Sequence, residues 1–76
     1  MTIHLDELAP GGRGRIVHLA GAGATFRRMI GMGVTPGSVV AVERRAPLGD
    51  PIAIRIKGYR LSLRCAEASA ITVETC

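Results

Sequence analysis

Tryptophan is absent from the chain, and Phe26 and Tyr59 are its only aromatic residues. The core must therefore be aliphatic. The same scarcity argues against a groove for proline-rich peptides, which is normally aromatic-lined. It also argues against a single-stranded RNA surface, where bases stack on such rings. No stretch approaches the about 18 apolar residues of a membrane span. Cysteine is limited to Cys65 and Cys76, with no Cys-x-x-Cys pair. One disulfide stays open, no secreted disulfide framework is present, and reduced thiols are the default. At the N-terminus, Asp6 and Glu7 stand where a signal peptide needs a basic region and an apolar run. These absences predict a soluble cytoplasmic protein.

Catalytic patterns are missing as well. There is no Gly-x-Ser-x-Gly elbow, and neither His4 nor His18 is beside a plausible nucleophile in the sequence. The phosphate loop Gly-x4-Gly-Lys-Ser/Thr is absent, and Gly21-Ala22-Gly23 lacks the third glycine of a dinucleotide fingerprint. No pair of ligands has the short spacing of a structural zinc site. His4 with Asp6 or Glu7, or His18 with a carboxylate across the fold, makes at most a two-ligand surface site. Such a site binds a divalent metal weakly and needs a neighbouring molecule to complete it. That leaves room for a weak or metal-bridged homodimer. No cofactor is required, and the chain reads as a binding protein rather than an enzyme.

What is present is enough to fold. Hydrophobic residues make up 47% of 76 residues, the length of one small domain spanning 1–76. Net charge is +4, and nine of the ten basic residues are arginine. Arginine suits planar partners such as carboxylate or phosphate, so nucleic acid, an anionic membrane face and an acidic protein patch all fit.

Periodicity predicts a mostly-β fold. After a lead-in over 5–9 and a turn at Pro10-Gly11-Gly12, residues 14–19 alternate as a half-buried strand. Thr25 can cap a helix over 26–32, whose Phe26, Met29 and Ile30 fall at helical spacing and which Gly33 closes. Beyond Thr35-Pro36-Gly37 the sets Val40/Val42, Ile52/Ile54/Ile56, Leu61/Leu63 and Ile71/Val73 each share a strand face. A tight connection at 57–60 and a helical turn over 64–69 separate the later strands. About five short strands, with one short α-helix between the first and second, give a small SH3-like barrel. A five-stranded oligonucleotide-binding barrel is the alternative.

Ala46-Pro47-Leu48-Gly49-Asp50-Pro51 joins two of these strands. Its prolines fix φ on both sides of a Gly-Asp turn and remove two backbone donors. A stiff, exposed loop results, with an apolar tip at Leu48 and a carboxylate at Asp50. Together with Phe26-Arg27-Arg28-Met29-Ile30-Gly31-Met32-Gly33, Pro36-Gly37, Leu61-x-Leu63-Arg64 and Ile71-x-Val73, this loop resembles the ferrous-iron transport protein A (FeoA) family. The similarity covers roughly residues 5–74.

The resemblance implies a cytoplasmic SH3-like domain that assists a separate ferrous-iron transporter, FeoB, at the inner membrane by direct contact. It implies no catalysis. Related domains are also fused to iron- or manganese-dependent repressors; the Met1 start and the lack of a DNA-binding segment favour the free-standing form. The partner-binding surface is expected to comprise Arg27, Arg28 and Met32 on the helix, Leu48 and Asp50 on the loop, and Tyr59 on the second hairpin. Nucleic acid is not an expected partner. A nucleic-acid-binding barrel, or an iron or zinc sensor or carrier, are the competing readings.

Overall fold

The computed structural model describes residues 1–75. Residue 76 is outside them, and with it the open question of a Cys65–Cys76 pairing. Alternation decides most of the architecture. β2 (Arg13–Leu19), β3 (Val39–Arg45), β4 (Ile52–Ile56), β5 (Tyr59–Leu63) and β6 (Ile71–Thr75) are the five expected strands. A sixth, β1 (Thr2–His4), precedes them. All pair antiparallel in one sheet of order β1-β6-β2-β3-β4-β5. β1 escaped periodic reading because Ile3 is its only inward apolar residue. It is held instead by its neighbour, with Ile3 opposite Val73 and the Thr2 hydroxyl donating to Glu74 at 2.7 Å.

The inward side chains close on one aliphatic core. Ile52, Ile54 and Ile56 of β4 are fully buried beside Val40 and Val42, Leu63, Ile71 and Val73. Burying each such side chain contributes about 1.5–3 kcal/mol relative to exposure. Leu5 and Leu8, from a 3-10 turn (Leu5–Glu7) and its exit, plug one end. No polar or charged residue is buried among the described residues. Two bulges adjust the register. In β2 the pairing with β6 shifts between Ile16 and His18, so Val17 is extra and both Ile16 and Leu19 reach the core. In β3 the shift between Val42 and Arg44 leaves Glu43 on the outside.

α1 runs Gly23–Gly31, beginning three residues and ending one residue earlier than expected. Thr25 is inside it and does not cap it. The entry is made by Ala22, which offers no side-chain acceptor, and by positive-φ Gly21 and Gly23. Those first amides sit on exposed residues, open to solvent. Its stop signal is the expected one. Gly33 has φ +89°, its N–H donates to Ile30 O at 3.0 Å, and the Val34 N–H donates to Met29 O at 3.0 Å. This is a Schellman stop, with buried Val34 and Met29 as its apolar pair. α2 (Cys65–Ala68) is the anticipated helical turn.

Gly14 shows how closely β2 and β6 approach. A Cβ there would meet Glu74 O at 2.9 Å and Val73 Cβ at 3.1 Å. Gly14→Ala is therefore expected to destabilise the fold by about 1–3 kcal/mol in urea titrations. An unchanged midpoint would refute that packing argument.

Candidate docking surface

The loop between β3 and β4 folds on itself before it meets anything else. Gly49 N–H donates to Ala46 O at 2.7 Å, placing Pro47 at the first corner of a β-turn where its fixed φ is preformed. Ala46 N–H reaches Pro51 O at 3.1 Å and closes the base. The Asp50–Pro51 peptide is cis. Leu48 stands at the tip with 97% of its surface exposed.

Asp50 turns the other way, toward the protein. One carboxylate oxygen accepts the Cys65 backbone N–H at 2.9 Å, and the other is 3.8 Å from the Arg64 guanidinium. The Cys65 thiol adds a bond to Gly49 O at 2.9 Å. The loop is thus fastened to the first residue of α2, where the helix leaves amides unpaired and favours negative charge.

Glu67 makes the second fastening. One oxygen accepts the Arg64 N–H at 2.9 Å, and the other accepts from the Arg28 guanidinium of α1. α2 therefore joins the loop on one side to α1 on the other. Between the helices is a cleft of about 320 Å³ lined by Ala20, Ala22, Phe26, Met29, Ala66 and Ala70, with Glu67 alongside. Its alanines leave the space, and Phe26 and Met29 make it apolar. Arg27 is exposed on α1.

The expected partner residues do not form one patch. Arg28, Leu48 and Asp50 are linked through α2. Met32, half-buried, caps the same end of α1 one turn beyond Arg28, its N–H donating to Arg28 O at 3.1 Å, and leads into Gly33, where a Cβ would lie 3.6 Å from the Tyr59 hydroxyl. Tyr59 follows the Lys57-Gly58 turn, whose positive φ values mark a type I′ hairpin. Leu48 and Tyr59 thus flank opposite ends of β4, about 17 Å apart along its five residues.

His4 and His18 are closer than their numbers suggest. Both are exposed, and both are opposite Thr72, on β1 and β2 respectively. They stand in one outward row, two strand spacings apart, about 10 Å between backbones. Glu7 is engaged by the His4 N–H at 2.8 Å. Among the described residues no group of three or more His, Cys, Asp or Glu side chains is placed to hold a metal ion.

The arginine doublets also separate. Arg45 turns inward and donates to Asp6 O and to Leu8 O, tying β3 to the lead-in, while Arg44 faces solvent. A feature missed in the sequence is a carboxylate between two guanidiniums. Glu43 accepts the Arg55 Nε–H at 2.8 Å and the Arg60 Nε–H at 2.7 Å. The outward alternation of Arg55 and Arg60 was readable; the Glu43 bulge beneath them was not.

Comparison with known proteins agrees with this architecture. The family model described as FeoA domain matches residues 3–75. The Fe(2+) transport protein A/Fe(2+) transporter FeoB fusion protein of Porphyromonas gingivalis (strain ATCC BAA-308 / W83) is 39% identical over 95% of this chain. The chain spans 8% of that relative's length. The solution structure of iron(II) transport protein A from Clostridium thermocellum superposes with a TM-score of 0.91 at 38% identity, covering 96% of this chain and 45% of that one. The zinc complex of Stenotrophomonas maltophilia FeoA, described as a prokaryotic SH3 domain protein, gives 0.82 at 26% identity over 97% and 89%. The mostly-β SH3-like expectation holds, with one more edge strand than anticipated. No helix among the described residues is long and apolar enough to cross a membrane.

Asp50→Ala removes the acceptor for the Cys65 amide; it should cost about 1 kcal/mol, in the range of helix-cap losses, and speed amide exchange at Cys65. Leu48→Gln, by contrast, should stay within about 0.5 kcal/mol of the parent because its site is solvent. Glu43 supplies a pH test. Hydrogen bonding to Arg55 foremost, then to Arg60, holds its carboxyl below the usual range, with desolvation opposing. A lowered folded-state pKa stabilises above the unfolded value and loses that contribution as pH falls through the folded one. The melting-temperature gap between parent and Glu43→Gln should therefore narrow from pH 7 to pH 3, and a constant gap would refute it.

Proposed function

The chain belongs to the FeoA domain family, and from that premise we propose that it serves ferrous-iron uptake as a small non-catalytic accessory protein. Its site of action is the cytoplasmic face of the inner membrane, where it docks on a FeoB-type transporter. The observation that carries this reading is Leu48, an apolar side chain 97% exposed on a loop that is hydrogen-bonded at its base and fastened to α2. An apolar group held rigidly in water loses little conformational freedom on burial in a partner, which is how interface anchors gain affinity.

The neighbouring groups fit the same role. The α1–α2 cleft can receive one apolar side chain of the partner, and Arg27 offers a planar cation to a carboxylate at the rim. Arg28 contributes through its bridge to Glu67, by setting the helix spacing. Asp50 braces the loop and does not itself reach outward to a partner. A covalent union of the two partners exists in the fused relative from Porphyromonas gingivalis, where the domains are held at high effective concentration. That organisation supports direct contact here as well.

The reading is tested by affinity capture on the cytoplasmic domain of a FeoB-type transporter. Leu48→Gln should weaken binding at least tenfold, equal to about 1.4 kcal/mol, with an unchanged melting temperature. Arg27→Glu should weaken it as well, by opposing a carboxylate. Undiminished binding by both variants would remove this surface from consideration.

A further inference from the structure

We propose that the outer face of β2 to β5 is a contact surface for an anionic phospholipid bilayer, separate from the Leu48 loop and the α1–α2 cleft. Arg13, Ala41, Arg55 and Arg60 stand opposite one another in a single row across the four strands. That row is about 14 Å wide. One row further, Arg44 lies opposite Ala53, and Ala53 opposite Ser62, around a depression of about 400 Å³. Arg13, Arg44, Arg55 and Arg60, set against Glu43, place three of the chain's four net positive charges (+4) here.

The pairing of Arg55 with Arg60 is what makes this more than a solvated face. Like charges directly opposite on neighbouring strands repel. Glu43 offsets that repulsion from below, 28% exposed, by accepting one Nε–H from each guanidinium. Both sets of terminal Nη groups remain available above it, as a fixed pair of forks suited to phosphate oxygens. Ala41, Ala53 and Ser62 between them leave the surface low and without aromatic platforms. Single-stranded nucleic acid would lack stacking partners there. Among the described residues no helix projects from this face to enter a major groove. A broad, flat, phosphate-bearing surface is the better complement. The choice of a bilayer over an acidic protein rests on the proposed function, which places the chain beside a membrane transporter.

The test is co-sedimentation of the full chain at low salt with phosphatidylcholine vesicles, with and without phosphatidylglycerol. The protein should pellet with the anionic vesicles alone and be released by salt. Each basic residue near such a surface is worth about fivefold, so Arg55→Gln/Arg60→Gln should lower partitioning about 25-fold. Arg13→Gln/Arg44→Gln, which leaves the Glu43 bridges intact, should do the same and keeps the test readable if the first pair folds poorly. Lys57→Gln/Arg64→Gln removes equal charge elsewhere and should change partitioning far less. The inference is overturned if the parent ignores anionic vesicles, if all three pairs lose binding equally, or if single- or double-stranded DNA binds more tightly than vesicles under the same conditions. Capture by the transporter domain without vesicle binding would also overturn it, while leaving the docking reading intact. Vesicle binding without transporter capture would support it and count against that reading.

Discussion

α2 is a helix of four residues, and the arrangement of the docking surface depends on how it is held. A segment that short does not recover the cost of helix nucleation from its own hydrogen bonds. Its amides and its buried face must be satisfied from outside. Asp50 supplies an acceptor from the loop, Glu67 accepts the Arg64 N–H and the Arg28 guanidinium together, and Ala68 is wholly buried in the core. The partners that stabilise α2 are thereby fixed by it. The proline loop takes its direction from Cys65, α1 takes its spacing from Glu67, and the cleft is the gap these two constraints leave.

The β framework was legible because its signals are local. Ile52-x-Ile54-x-Ile56 and Val40-x-Val42 state their own inward faces, and Gly33 announces the helix stop three residues after Ile30. Features needing a distant partner were not legible. β1 carries one inward residue and exists through β6. Thr25 looked like a cap because no local signal showed that Gly23 would start the helix earlier. Asp50 reads as a carboxylate on the presented loop, but nothing near it in sequence marks the partner it accepts from, the Cys65 amide fifteen positions later. His4 and His18 converge on Thr72 only because Val17 is bulged out of register. The arginine doublets divided for a similar reason. Neighbours in a strand point to opposite sides, and Arg45 found carbonyls inward where Arg44 found solvent.

Charge and apolar exposure are distributed on different sides of the fold. On the α1–α2–loop side most charges are locally paired, Arg28 with Glu67 and Arg64 with Asp50, and the exposed feature is a leucine. On the outer face of β3 to β5 the positive charges outnumber the one acid, and small residues separate them. The first surface suits a specific contact decided by shape and desolvation; the second suits a less selective contact decided by charge and ionic strength. In the proposed role beside a membrane transporter the two would work together, since confinement near the membrane raises the effective concentration for the specific contact.

The central claim is that Leu48, on a loop anchored through α2, is the point of contact with the transporter. The most direct measurement is a titration of the isotope-labelled chain with the transporter's cytoplasmic domain, following backbone amide resonances. The account predicts shifts or broadening concentrated at 48–50, along α1 and at 65–67, with β1 and β6 unaffected. Perturbations confined to β1 and β6, with the 46–51 loop unchanged, would contradict it.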